Sequence, residues 1–80
     1  MQPIHDLLNK IKWDKRENPE QYSIFYLDRV LNKLIKTPYT KIKKIEGSFM
    51  VLDNEEESNI PLHRIKQVTK NNIVVWERKL

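Results

Sequence analysis

A nine-residue stretch that occurs twice constrains this chain more than any other feature. TPYTKIKKI at 37–45 returns as IPLHRIKQV at 60–68, so Pro38/Pro61, Ile42/Ile65, Lys43/Lys66 and Ile45/Val68 recur at a spacing of 23. Each copy runs into an apolar segment, FMVL at 49–52 and IVVW at 73–76. The repeated unit therefore reads as a proline-started turn, a short strand, a tight loop and a second strand. The loop is Glu46-Gly47-Ser48 in the first copy and Lys70-Asn71-Asn72 in the second, where asparagine tolerates the positive φ that a tight hairpin needs. Gly47 is the only glycine, so asparagine serves most of the turns. Two copies fall short of the three or so that a solenoid requires, which makes this a duplication within one domain.

Ahead of the repeat, Pro3 opens a helical pattern at a favoured first-turn position, and Ile4, Leu7, Leu8 and Ile11 follow at i, i+3, i+4 and i+7. One amphipathic helix over 3–12 is expected, stopping near Trp13 because Asp14, Asn18 and Pro19 are turn formers. YSIFYLDR, from Tyr22 to Arg29, is rich in aromatic and β-branched residues and suits a half-buried strand. VLNKLIK, from Val30 to Lys36, fits either a helical turn or a second strand with Asn32-Lys33 near a turn, and strand is the preferred reading. Asp53 to Ser58 joins the repeats as an acidic exposed loop. The expected fold is α+β: the helix, then about five antiparallel strands in a small sheet or partly open barrel, with the helix covering one face or end.

Eighty residues with 39% hydrophobic content supply one thin core, so 1–80 reads as a single domain. No run of about 18 apolar residues could cross a bilayer, and no charged segment leads into an apolar one as a signal peptide would. Cysteine is absent, which removes disulfides, thiolate nucleophiles and zinc knuckles together. The expectation is a soluble, cytoplasmic, cofactor-free domain. Phosphate-binding loops of the P-loop and dinucleotide types need several glycines and are excluded by the single Gly47. His5 and His63 are the only histidines, and no His/Asp/Glu cluster has metal-ligand spacing.

Fifteen Lys and Arg stand against eleven Asp and Glu, but Glu55, Glu56 and Glu57 sit together in the joining loop. Outside it, fifteen bases face eight acids, a surplus of seven. Two readings fit that surplus. A polyanion-binding surface gains sequence-independent affinity by releasing counterions from phosphates; a lysine-rich solvated face, as in thermally adapted proteins, needs no ligand.

Two histidines and a lysine can in principle cleave RNA phosphodiesters. Two-histidine phosphoesterases, however, carry Thr or Ser two residues after each His, and here those positions hold Leu7 and Ile65. Ile60-Pro61-Leu62-His63-Arg64-Ile65 is the most distinctive stretch, because alternation sends Leu62 one way and His63 the other at the entry of a strand. His63 and Arg64 can donate several hydrogen bonds to one phosphate; alternatively His63 bonds a backbone carbonyl and Arg64 pairs with Asp14, Asp28 or Glu77. Among the aromatics, Phe25, Phe49 and Trp76 lie in apolar runs that suit a core, whereas Trp13, between Lys12 and Asp14 at a helix end, is the expected exposed one.

Lys12-Trp13-Asp14 after the helix, Tyr26-Leu27-Asp28-Arg29 closing a strand, the Ile60–Ile65 stretch and Val75-Trp76-Glu77-Arg78 together resemble the RNA cyclic group end recognition domain family. That family comprises short archaeal proteins long listed as uncharacterised and domains fused to RNA-processing enzymes. The match runs from Ile4 to Arg78; Lys15 departs from it, standing where proline is expected after the Trp-Asp pair, a change expected to loosen the turn.

The resemblance implies non-catalytic binding of single-stranded RNA termini, including 2′,3′-cyclic phosphate ends, beside an RNA ligase or cyclic phosphodiesterase and away from membranes. Its site residues would be Arg29, His63, Arg64 and Arg78 on a terminal phosphate, Trp13 or Trp76 stacked on the last base, and Asp14 orienting an Arg or accepting from a ribose hydroxyl. The same surface also fits a protein-interaction adaptor, and a weak phosphodiesterase is the third reading.

Overall fold

The computed structural model describes residues 3–53 and 58–78. The acidic triplet Glu55–Glu57 lies outside the described residues. The helix α1 spans Ile4–Trp13, with Ile4, Leu7, Leu8 and Ile11 buried as their spacing requires. It ends at Asp14, whose carboxylate accepts from the backbone N–H of Arg16 at 2.9 Å and is gripped by that residue's guanidinium at 3.1 and 3.0 Å. The turn in which Lys15 replaces the expected proline is thus closed by its own acid–base pair.

Seven strands follow among the described residues: β1 Tyr22–Asp28, β2 Lys33–Pro38, β3 Ile42–Glu46, β4 Phe49–Leu52, β5 Ser58–Pro61, β6 Ile65–Lys70 and β7 Ile73–Glu77. They form two antiparallel sheets, in the orders β2-β1-β6-β7 and β3-β4-β5. This corrects the expected single sheet or partly open barrel of about five strands. Each half of the repeat is a hairpin as read, β3-β4 and β6-β7, but the hairpins belong to different sheets.

The proline-started turns are the reason. Pro38 ends β2 and leads into the 3-10 turn Tyr39–Lys41, which takes the chain from the first sheet to the second; Pro61 ends β5 and leads into the 3-10 turn Leu62–Arg64, which brings it back. Both prolines sit on edge strands, where a missing N–H breaks no ladder. In each turn the first residue is buried, Tyr39 or Leu62, and anchors the corner. Tyr39 also donates its hydroxyl to the Leu8 carbonyl at 2.8 Å, tying the first corner to α1.

Val30–Lys36 divides: residues 29–32 form the β1–β2 turn and the strand begins only at Lys33. Asn32, Asn71 and Asn72 all have positive φ (54°, 52° and 67°), as does Gly47 at 58°, so the turn chemistry read from the repeat holds. One core joins α1 to both sheets, through Ile24, Val68 and Trp76 from the first and Met50, Leu52 and Ile60 from the second. Phe49, expected in that core, is 45% exposed, because Met50 and Leu52 turn inward and Phe49 shares the opposite face with Val51.

Candidate functional site

The carboxyl end of β1 meets the second sheet in an open cleft of about 230 Å³ lined by Tyr26, Asp28, Arg29, Ser58, Ile60 and Arg64 among others. Local chemistry shapes one wall. The Asp28 carboxylate accepts from the backbone N–H groups of Val30 (2.9 Å) and Leu31 (3.0 Å), which stiffens the turn that carries Arg29. Arg64 stands on the other wall as the last residue of its 3-10 turn. Residues 35 positions apart, on two different sheet connections, thus place two guanidinium groups in one depression.

Arg64 Nε is buried and has no hydrogen-bond partner. Burying an N–H unpaired costs about 1–3 kcal/mol, more when the group is charged, so this atom calls for an acceptor. Of the acids weighed as its structural partners, Asp14 pairs with Arg16, Glu77 accepts from the Gln67 amide at 3.2 Å, and Asp28 holds the turn. Among the described residues that line the cleft, two arginines stand against one carboxylate, Asp28. Burial, helped by the Asp28 charge, pushes the Tyr26 hydroxyl above its ordinary pKa. The set offers an anion two charged forks and one hydroxyl.

The other expected site residues fall elsewhere. His63 is exposed beside Arg64 on the same turn but does not line the cleft. Arg78 donates Nε to the Ile65 carbonyl (3.0 Å) and Nη2 to the Leu62 carbonyl (3.3 Å), so it braces the turn carrying His63 and Arg64 from behind. Trp76 is 7% exposed and covered by the Arg78 guanidinium 5.2 Å from its ring centre, which makes it a core residue with no face open to a base.

Trp13 is 73% exposed, as its place at the helix end suggested, with the Lys12 ammonium 5.1 Å from its ring centre. Asp14 does orient an arginine, Arg16, and that contact holds its carboxyl down to about 2. Both neighbour the opposite end of β1: Asp14 faces Glu17, which accepts from the Tyr22 hydroxyl and pairs with Lys70 at 3.7 Å. A seven-residue strand spans roughly 20 Å, so the expected site divides into two separate places.

Tyr26, Asp28 and Ser58 line the cleft without having been singled out as site residues. Tyr26 and Asp28 stand in the same Tyr-Leu-Asp-Arg motif as Arg29, which was the available signal; Ser58 had none. Among the described residues no three His, Cys, Asp or Glu side chains gather as metal ligands, and no helix is long and apolar enough to cross a membrane.

The family model described as the MJ1316 RNA cyclic group end recognition domain matches residues 1–78. A UPF0248 protein of Saccharolobus islandicus is 31% identical over 78 residues, covering 94% of this chain and 98% of that protein. UPF0248 proteins from two strains of Methanococcus maripaludis are 36% and 38% identical, each alignment covering 95% of this chain and 99% of the relative. No solved structure matches the chain.

Proposed function

Since this chain belongs to the MJ1316 RNA cyclic group end recognition domain family, we propose that it holds the phosphate-bearing end of an RNA strand in the Arg29–Arg64 cleft. The observation that carries the reading is the buried, unpartnered Nε of Arg64. With the Arg64 side chain turned toward the cleft, a terminal or cyclic phosphate oxygen would satisfy the orphaned donor, and Arg29 and the Tyr26 hydroxyl would reach the remaining oxygens from the other wall. Arg78 serves as a positioning residue, holding the Leu62 and Ile65 carbonyls on either side of Arg64. His63, exposed and outside the lining, stands at the rim.

The domain binds without catalysing in this reading. Among the described residues that line the cleft there is no histidine, and the one carboxylate, Asp28, is engaged by two backbone N–H groups rather than free to act as a base. Delivery of the bound end to a ligase or cyclic phosphodiesterase is the corresponding proposal for its partners.

The repeat supplies an internal control, because a shift of 23 residues takes Arg64 back to Lys41, the last residue of the other 3-10 turn, which is exposed. Three oligonucleotides of one sequence, ending in 2′,3′-cyclic phosphate, 3′-phosphate and 3′-hydroxyl, would be titrated by fluorescence anisotropy against wild type, Arg64→Ala and Lys41→Ala. A charged hydrogen bond of about 1.5–3 kcal/mol predicts that Arg64→Ala loses ten- to a hundredfold on the two phosphate ends, while Lys41→Ala changes little. Equal affinity of wild type for all three ends, or equal losses in both variants, would reduce the site to a diffuse basic face. Recovery of the cyclic phosphate unaltered after incubation checks the non-catalytic part.

A further inference from the structure

We propose that the outer face of the four-stranded sheet is the path of the single-stranded RNA segment leading to the bound end, with Phe25 as the stacking platform for one base. The inference rests on the end-binding reading and extends it from one phosphate to the nucleotides that precede it.

Alternation along the strands defines the face. Ile24, Val68 and Trp76 form a cross-strand row pointing into the core, so the next row, Lys36, Phe25, Gln67 and Glu77, points away from it. Leu27 and Leu34 face each other beyond it, with Leu34 half exposed. A second cleft, of about 460 Å³ and open to solvent, lies on this side, lined by Leu27, Leu34, Lys66, Gln67, Glu77 and Arg78. Its size is that of a small-ligand site.

Leu27 lines both this cleft and the Arg29–Arg64 cleft, so the two are neighbours at the carboxyl end of β1. Phe25 stands two residues back from Leu27, roughly 7 Å along the strand.

Charge decides what kind of chain suits the trench. Among the described residues Lys66 and Arg78 line it against one carboxylate, Glu77, which already accepts from Gln67, and Lys36 stands on the same row opposite Phe25. The Lys36 ammonium lies 5.9 Å from the centre of the Phe25 ring on a flexible, exposed side chain. A stacking base would displace it toward the neighbouring phosphate, where its charge is better used. Apolar floor, one aromatic ring and a cationic margin are the elements of single-strand recognition. An uncharged protein strand would draw on the apolar floor and gain nothing from the lysines.

The test compares a dinucleotide with a hexanucleotide, both ending in the same 3′-phosphate, on wild type, Phe25→Leu, Lys36→Gln and Arg64→Ala. Phe25→Leu keeps the apolar bulk on the sheet and removes the ring, and circular dichroism checks that each variant is folded. Wild type is expected to bind the hexanucleotide at least tenfold more tightly. Base–aromatic stacking predicts that Phe25→Leu loses roughly five- to a hundredfold on the hexanucleotide, with dinucleotide affinity unchanged within about twofold. Lys36→Gln should flatten the salt dependence of the hexanucleotide by about one unit of log–log slope. Equal binding of the two lengths by wild type, still lost in Arg64→Ala, would overturn the path and leave the end site standing. A length advantage indifferent to both Phe25→Leu and Lys36→Gln would also overturn it, freeing the face for a protein partner. Failure of wild type to bind either oligonucleotide would overturn the path together with the reading on which it rests.

Discussion

Replacing Arg78 by Met separates two roles that this arginine can have. In the structure its guanidinium makes two hydrogen bonds to the carbonyls of Ile65 and Leu62, at 3.0 and 3.3 Å, and covers Trp76. Charged hydrogen bonds contribute about 1.5–3 kcal/mol each, but the longer one is weak and the residue is only partly buried, so water recovers some of the loss. Methionine keeps a flexible apolar cover over the indole and forfeits a cation–π contact of about 0.5–1 kcal/mol. The sum is about 2–3 kcal/mol of stability.

Urea unfolding followed by tryptophan fluorescence measures it. With a slope of about 1 kcal/mol per molar for so small a domain, the midpoint should fall by about 2–3 M. The turn that carries Arg64 loses its brace, so affinity for a phosphate end should fall as well, and Arg78→Met combined with Arg64→Ala should lose less than the sum of the two. An unchanged midpoint accompanied by a loss of affinity as large as that of Arg64→Ala would refute the bracing account. It would make Arg78 a direct phosphate ligand, as the family resemblance implied.

Acid titration should find Asp14 ionised down to about pH 2, where Arg16 holds it. Since its folded pKa lies below the unfolded value of about 3.9, its contribution is present above pH ~4 and is lost as the pH falls toward 2. Carboxyl NMR should give that midpoint in wild type and an ordinary one in Arg16→Ala, and equal midpoints would dismiss the pair. Tyr39→Phe removes a buried hydroxyl bonded to the Leu8 carbonyl at 2.8 Å and should lower stability by about 1–2 kcal/mol in urea unfolding, with no effect on RNA binding. Gly47→Ala should cost about 1 kcal/mol from the positive φ alone, since nothing lies within 4 Å of the added methyl, and Gly47→Asn should cost less. A thermal melt of the two variants checks the order, and equal losses would point to a contact rather than to backbone strain.

What the sequence determined by itself was everything carried by neighbours along the chain. The spacing of Ile4, Leu7, Leu8 and Ile11 required α1, the aromatic run from Tyr22 required β1, and the asparagines and Gly47 marked where positive φ closes a turn. The 23-residue repeat foretold both hairpins and their proline-started entries, and the family resemblance spans the region that the family model matches. Each of these follows from steric and hydrogen-bonding preferences acting over a few residues.

Tertiary structure decided which strands share a sheet, because that depends on where the 3-10 corners after Pro38 and Pro61 send the chain. The same choice assembled the site. Arg29 and Arg64 meet because β5 and its corner close against the end of β1, whereas Trp13 and Asp14 remain at that strand's far end. Arg78 became a brace because the 3-10 turn exposes the Leu62 and Ile65 carbonyls within its reach. Trp76 is drawn inward as the partner of Val68, and Phe25 faces outward because it pairs with Lys36 and Gln67 on the opposite face from Ile24. Side-chain direction in a strand reverses with every residue, so which face an aromatic joins is settled by register against partners that are distant in sequence.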